Sequence, residues 1–226
     1  MDFGLVHLMV VAGSFIATHF ALSGPFRRPL MSRLGEQGFL ITYSLISIVT
    51  FGWTVVAFDR APATAAVWDG TNPVAWIIGS VLTIVALVFL LPSFKRNPAL
   101  PGVKAAGLGT VIPTGVFTIT RHPMMWGITL WAVGHIVVAP NAPVGILMGA
   151  LILVALLGSH LQDKRKLAQN KREFSPWQRR TSFWPEWRKL GNLRLTWLVA
   201  LLVWFVITVV HWEFFGIPAG LWLWLG

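Results

Sequence analysis

Six apolar runs, each near the length of a bilayer crossing, are separated by loops that hold almost all of the chain's positive charge. The runs cover about 4–23, 38–58, 73–92, 124–140, 143–161 and 195–215. Crossing the hydrocarbon core takes about 20 apolar residues. Inside it every backbone polar group must find its partner within the segment, so each run is expected to be a helix. The expected fold class is therefore all-α, a polytopic membrane helix bundle of about six transmembrane helices forming one domain over 1–226. The fourth run is the shortest, with Gly115-Val116-Phe117 as a candidate extension, and Pro140-Asn141-Ala142-Pro143 predicts a tight turn into the fifth.

Charge supports the alternation. Of the 18 Lys and Arg residues, all but Arg60 fall in 24–37, 93–123 or 162–194, which share one side if all six runs cross. Basic loops stay in the cytoplasm, which puts both termini on the outer side. The net charge of +10 thus reads as topology, and the expected partner is the lipid bilayer with no nucleic acid. With 12% charged and 55% hydrophobic residues, against about a quarter charged in soluble domains, the chain lacks polar surface to dissolve. Met1-Asp2-Phe3 offers no basic leader, so the first run is expected to be a retained helix. The segment 162–194 begins as a charged extension of the fifth helix. It continues through Trp177, Trp184 and Trp187 among Arg and Lys, a mixture suited to an interfacial segment.

Six histidines carry the chemical interest, because ionisable groups inside a span are costly and mark function. His19, His122 and His160 lie toward the basic side, and His7, His135 and His211 toward the other. For His19 and His135 the competing reading is a structural histidine bonded to a helix carbonyl. His7, His160 and His211 read as structural or interfacial. Arg121-His122-Pro123 places an Arg and a His at a helix start, with Pro in the first turn, where its missing N–H costs nothing. No carboxylate lies deep in a span, which argues against a cation relay of paired acids. There is no cysteine, so any porphyrin would depend on His, Met or Tyr.

Several motifs in order resemble the NnrU family of bacterial membrane proteins: Thr18-His19-Phe20-Ala21-Leu22-Ser23, Phe26-Arg27, Leu34-Gly35-Glu36, Tyr43-Ser44-Leu45, Arg121-His122-Pro123-Met124-Met125-Trp126-Gly127, Trp131-Ala132-Val133-Gly134-His135, Asp163 and Thr181-Ser182-Phe183-Trp184-Pro185. The resemblance implies a bacterial inner membrane and a link to nitrite and nitric oxide metabolism in denitrification. That family is similar to the plant 15-cis-zeta-carotene isomerases, which bind heme b and act by cis–trans isomerisation. It therefore implies heme b ligated by His19 and His135, with Arg121 and His122 supporting the site, in an isomerase or a redox factor for a lipophilic small-molecule substrate. By helical rise, His19 and His135 are offset by roughly 15 Å in depth, whereas His122 shares the end of His19. Both pairings stay open. A more distant resemblance, through Arg121-His122-Pro123, is to isoprenylcysteine carboxyl methyltransferases. It implies S-adenosylmethionine instead, although Met125 stands where that motif has Tyr, and Gln162-Asp163 where it has an acidic pair. A third reading is a non-enzymatic accessory protein of a respiratory complex.

Overall fold

The computed structural model describes residues 2–95, 97 and 107–225. They form helices α1 (Phe3–Ser23), α2 (Arg27–Asp59), α3 (Pro73–Ser93), α4 (Pro123–Val138), α5 (Ala142–Gln169), α6 (Lys171–Arg180), α7 (Arg194–Phe215) and the short α8 (Trp222–Leu225), with no strand among the described residues. The protein is thus a helical membrane bundle, as its apolar runs require. Helices α1, α2, α3, α5 and α7 are long and apolar enough to cross a bilayer. The sixth expected crossing is α4, which is apolar but has only 16 residues. Gly115–Thr118 does not lengthen it: these residues form a separate 3-10 turn.

The starts of α1, α3 and α5 lie at the end away from the basic loops, and each is closed by a side chain. Asp2, Asn72 and Asn141 accept hydrogen bonds from the backbone N–H of Gly4, Ala75 and Val144. Such caps satisfy donors that a helix start otherwise leaves bare. At the same end, residues 59–72 are laced to the α4–α5 turn, with Val67 N–H donating to the Pro140 carbonyl (2.8 Å) and Trp68 Nε1–H to that of Val137 (3.0 Å). Asp69 accepts from the Thr71 hydroxyl and backbone N–H, which hold its carboxyl below the usual carboxylate range.

The packing order is α2, α1, α5, α4, α3, α7, so α5 is a wall between an α1–α2 pair and an α4–α3–α7 group. The closest seam is α3 on α4, where small residues let the backbones approach. A Cβ added at Gly127 would stand 2.9 Å from the Ala86 carbonyl oxygen, and one at Gly134 would stand 3.3 Å from that of Gly79. The outer helices turn large apolar side chains outward, including Ile48 (66% exposed) on α2 and Leu202 (65%) on α7. In water that surface would be untenable; in lipid it is the solvated face.

Two features depart from simple crossings. Helix α2 is broken at Gly35 (φ 70°, ψ 176°), which separates an arginine-bearing first part from the apolar crossing. Only glycine holds that conformation at low cost, so Gly35→Ala is expected to cost roughly 1–3 kcal/mol. It should lower the thermal midpoint, while Gly13→Ala, whose added Cβ meets nothing within 4 Å, should not. The second departure is in 162–194. Helix α5 runs on as the charged extension foreseen, but α6 then folds over the basic end of the bundle. Its Phe174 and Trp177, 3% and 2% exposed, pack in a core cluster with Phe89, Val116, Phe117, Ile119 and Trp126. Part of the aromatic content taken for interfacial character therefore serves internal packing. Trp184 and Trp187 do remain exposed.

Candidate functional site

The sharpest polar cluster sits where α4 begins, on the basic side. His122 is the residue before Pro123 at the start of α4, and Asp163 reaches it from α5. Both oxygens of Asp163 are engaged. Oδ2 accepts from Arg121 Nε and Nη2, each at 2.7 Å, and Oδ1 accepts from His122 Nε2–H at 2.8 Å. His122 is 3% exposed, and its Nδ1 is buried with no hydrogen-bond partner. One carboxylate thus fixes the tautomer and orientation of an imidazole whose other nitrogen is left with a lone pair, or with a proton to give.

The cluster is bound to the returning segment 181–186 along its whole length. Arg121 N–H donates to the Ser182 carbonyl (2.8 Å), Thr120 Oγ–H to Phe183 O (2.8 Å), Trp126 Nε1–H to Phe183 O (2.9 Å), and Glu186 N–H to Ile119 O (3.0 Å). Phe183 then lies 5.4 Å from the His122 ring, centroid to centroid, and Trp184 lies 5.2 Å from Trp126. Beside the cluster a recess lined by Arg121, His122, Gln162, Asp163, Lys166, Phe174 and Trp177 has room for roughly one water.

Of the residues singled out in the sequence, Arg121 and His122 are brought together. Their shared partner Asp163 was not counted among the site residues, although it stood in the motif pattern beside Gln162. Nothing in linear spacing ties residue 163 to 121. Only the crossing of α5 past α4 does so.

His19 lies elsewhere. Its ring nitrogens are within reach of the Tyr43 hydroxyl (2.8 Å from Nε2, 3.1 Å from Nδ1), and the rings of Phe15 and Phe20 flank it at about 6 Å. Asp163 and Arg165, two residues apart, point to opposite sides of α5. Asp163 meets His122, while Arg165 donates to the Ser23 carbonyl at the end of α1, the helix of His19. His19 and His122 therefore lie on opposite sides of the α5 wall. His135 is farther still, about 20 Å along α4 from His122 at helical rise. Its Nδ1 bonds the Trp131 carbonyl (2.8 Å), and its ring lies tilted against that of Trp131 at 4.2 Å. This arrangement does not fit an iron held by two of these histidines. His19 alone would hold an iron only where the Tyr43 hydroxyl, within reach of both ring nitrogens, leaves one of them.

An all-helical bundle with lipid-facing flanks, a buried Arg–His–Asp cluster and a half-buried His–Tyr pair defines a polytopic membrane protein with ionisable groups held at its basic end. The chain belongs to the NnrU family, described as NnrU protein, whose pattern matches residues 7–219. It is also similar to the chloroplastic 15-cis-zeta-carotene isomerases of Arabidopsis thaliana and Zea mays, at 26% identity over 158 and 161 residues. Those matches cover 67% of this chain and 42% of each plant protein, so the chain aligns with less than half the length of these relatives. No solved structure matches it.

Proposed function

We propose that this protein is a membrane-embedded isomerase of a lipophilic, unsaturated substrate, with His122 as the proton-handling residue. The observation that carries this is the buried imidazole whose Nε2–H is held by Asp163 and whose Nδ1 has no partner. The similarity to isomerases of a polyene supports the reaction class. With Nδ1 protonated, His122 gives its proton to one carbon of a double bond. The bond order falls, the bond rotates, and the same proton returns to Nδ1, so atoms and electrons balance. Asp163 stabilises the imidazolium, and the rings of Phe183, Trp126 and Trp184 offer π-faces to a cationic intermediate. The substrate enters sideways from the bilayer. The charge asymmetry supports a cytoplasmic basic face with both termini on the other side, and the family membership supports a bacterial inner membrane.

The test is isomer analysis by chromatography after 15-cis-zeta-carotene is incubated with the protein in liposomes. Conversion is expected, and it should fall at least 100-fold in His122→Gln, in line with the usual worth of a general acid–base. Full activity in that variant removes His122 from the mechanism, and a substrate left in its 15-cis form removes this polyene. The methyltransferase reading would need S-adenosylmethionine near Arg121 and His122, where the recess has room for roughly one water. Calorimetry with that compound separates the two readings, and micromolar binding would favour methyl transfer.

A second reading is favoured by the surroundings of His19. Packed among Phe15, Phe20 and Tyr43, it would hold heme b once the Tyr43 hydroxyl leaves one ring nitrogen. When bound, such a group would supply redox and Lewis-acid chemistry for isomerising an alkene. His19 would hold the iron, Tyr43 would fix the ring of His19, and the phenylalanines would pack on the macrocycle. This reading expects a b-type pyridine hemochrome spectrum from gently purified protein, lost in His19→Ala with helicity intact. A spectrum unchanged by that substitution would remove His19 as the ligand.

A further inference from the structure

We infer that the joint between α1 and α2, on the opposite side of α5 from His122, is a binding site for a phosphate-type anion, in the setting of a phospholipid headgroup. Arg27 opens α2 and Arg165 reaches the same place from α5, and the two stand close enough to interact electrostatically with each other and with Tyr43. Among the described residues, no carboxylate lies within ion-pair distance of either arginine, although Asp163, two residues from Arg165, is fully taken by Arg121 and His122. The Nε of Arg27 is buried and has no hydrogen-bond partner. Its guanidinium lies 4.7 Å over the Phe39 ring, which stacks on Tyr43 at 5.9 Å, and Tyr43 in turn bonds His19. Arg165 spends one nitrogen on the Ser23 carbonyl at 2.8 Å.

Two fixed positive charges and a buried, unused donor without an acid between them call for an anion. A guanidinium fork matches the geometry of phosphate. The position selects the ligand further, since the joint lies where the apolar crossing of α2 gives way to its arginine-bearing part. Phe26 and Leu34 are exposed next to it, and Ile41 lies on the lipid-facing side of α2. Headgroup and acyl chain would each find their match. The site depends neither on the isomerase reading nor on heme.

The experiment is calorimetry on protein in neutral detergent, titrated separately with dihexanoyl phosphatidic acid and with inorganic phosphate. Saturable binding of the phosphatidic acid is expected, weakened at least tenfold by Arg27→Gln or Arg165→Gln and unaffected by Arg188→Gln, an exposed residue of the 3-10 turn Trp187–Asn192. Equal binding of inorganic phosphate with the same residue dependence would keep the anion site and assign it to free phosphate rather than lipid. Arg27→Lys and Arg165→Lys keep the charge if the glutamine variants fail to fold, and the loss of the fork should still weaken binding. No saturable binding of either anion, or binding that survives the substitutions, overturns the inference.

Discussion

Asp163→Ala is expected to be among the most destabilising single substitutions on the basic side, at roughly 3–5 kcal/mol, the usual cost of removing one partner from a buried ion pair. The carboxylate satisfies Arg121 with one oxygen and His122 with the other, so its loss strands two polar groups at once. Arg121 would keep only its 3.3 Å bond to the Thr181 carbonyl. Thermal unfolding in detergent should show the midpoint falling by several degrees. Asp163→Asn should fall less, because one amide oxygen can still accept from His122. A cycle with Arg121→Gln should be strongly non-additive, since both single changes break the same bond. Wild-type stability in Asp163→Ala would mean that 162–194 does not dock on α4 as described. The isomerase test would then lose its structural footing.

Gly127→Leu should separate α3 from α4. A Cβ there already stands 2.9 Å from the Ala86 carbonyl oxygen and 3.2 Å from both the backbone nitrogen and the Cβ of Leu90. These atoms belong to the backbone or lie beside it and cannot swing away. Overpacking usually costs about 1–3 kcal/mol and occasionally more, and a rigid neighbour puts this site at or above the top of that range. Size-exclusion profiles should turn from a sharp peak to aggregate. Gly145→Ala is the control, since its Cβ meets nothing within 4 Å on α5. It should be neutral or gain up to about 1 kcal/mol in helix propensity. Tolerance of leucine at 127 would place the seam elsewhere.

The crossings were legible in the sequence because apolar length and basic loops are both local properties, and they fall within a few residues of α1, α3 and α7 and of the start of α5. Helix α2 begins eleven residues before its apolar run, since its first part carries Arg27, Arg28 and Arg33 and passes through a break that only Gly35 allows. Helix α6 was invisible as a packing element because Phe174 and Trp177 look interfacial until the fold places them over Phe117 and Trp126. The site was half legible. Arg121-His122-Pro123 announces a helix start, and its partner lies 41 residues away on another helix. Tyr43, the single tyrosine, could have been tied to His19 only by knowing that α1 and α2 pack as a hairpin. The pairing of His19 with His135 came from resemblance alone, and the α5 wall and the rise of α4 keep these two apart.

The brevity of α4 has a consequence for the water around His122. At helical rise its 16 residues span about 24 Å, against a hydrocarbon core of about 30 Å. Lipids beside α4 must thin, or the headgroup plane must sag toward the bilayer centre. The Arg121–His122–Asp163 cluster stands at the start of that short helix, so it would sit at the bottom of a dimple. Protons from solvent would then reach a depth at which the lipophilic substrate proposed above would enter from the side.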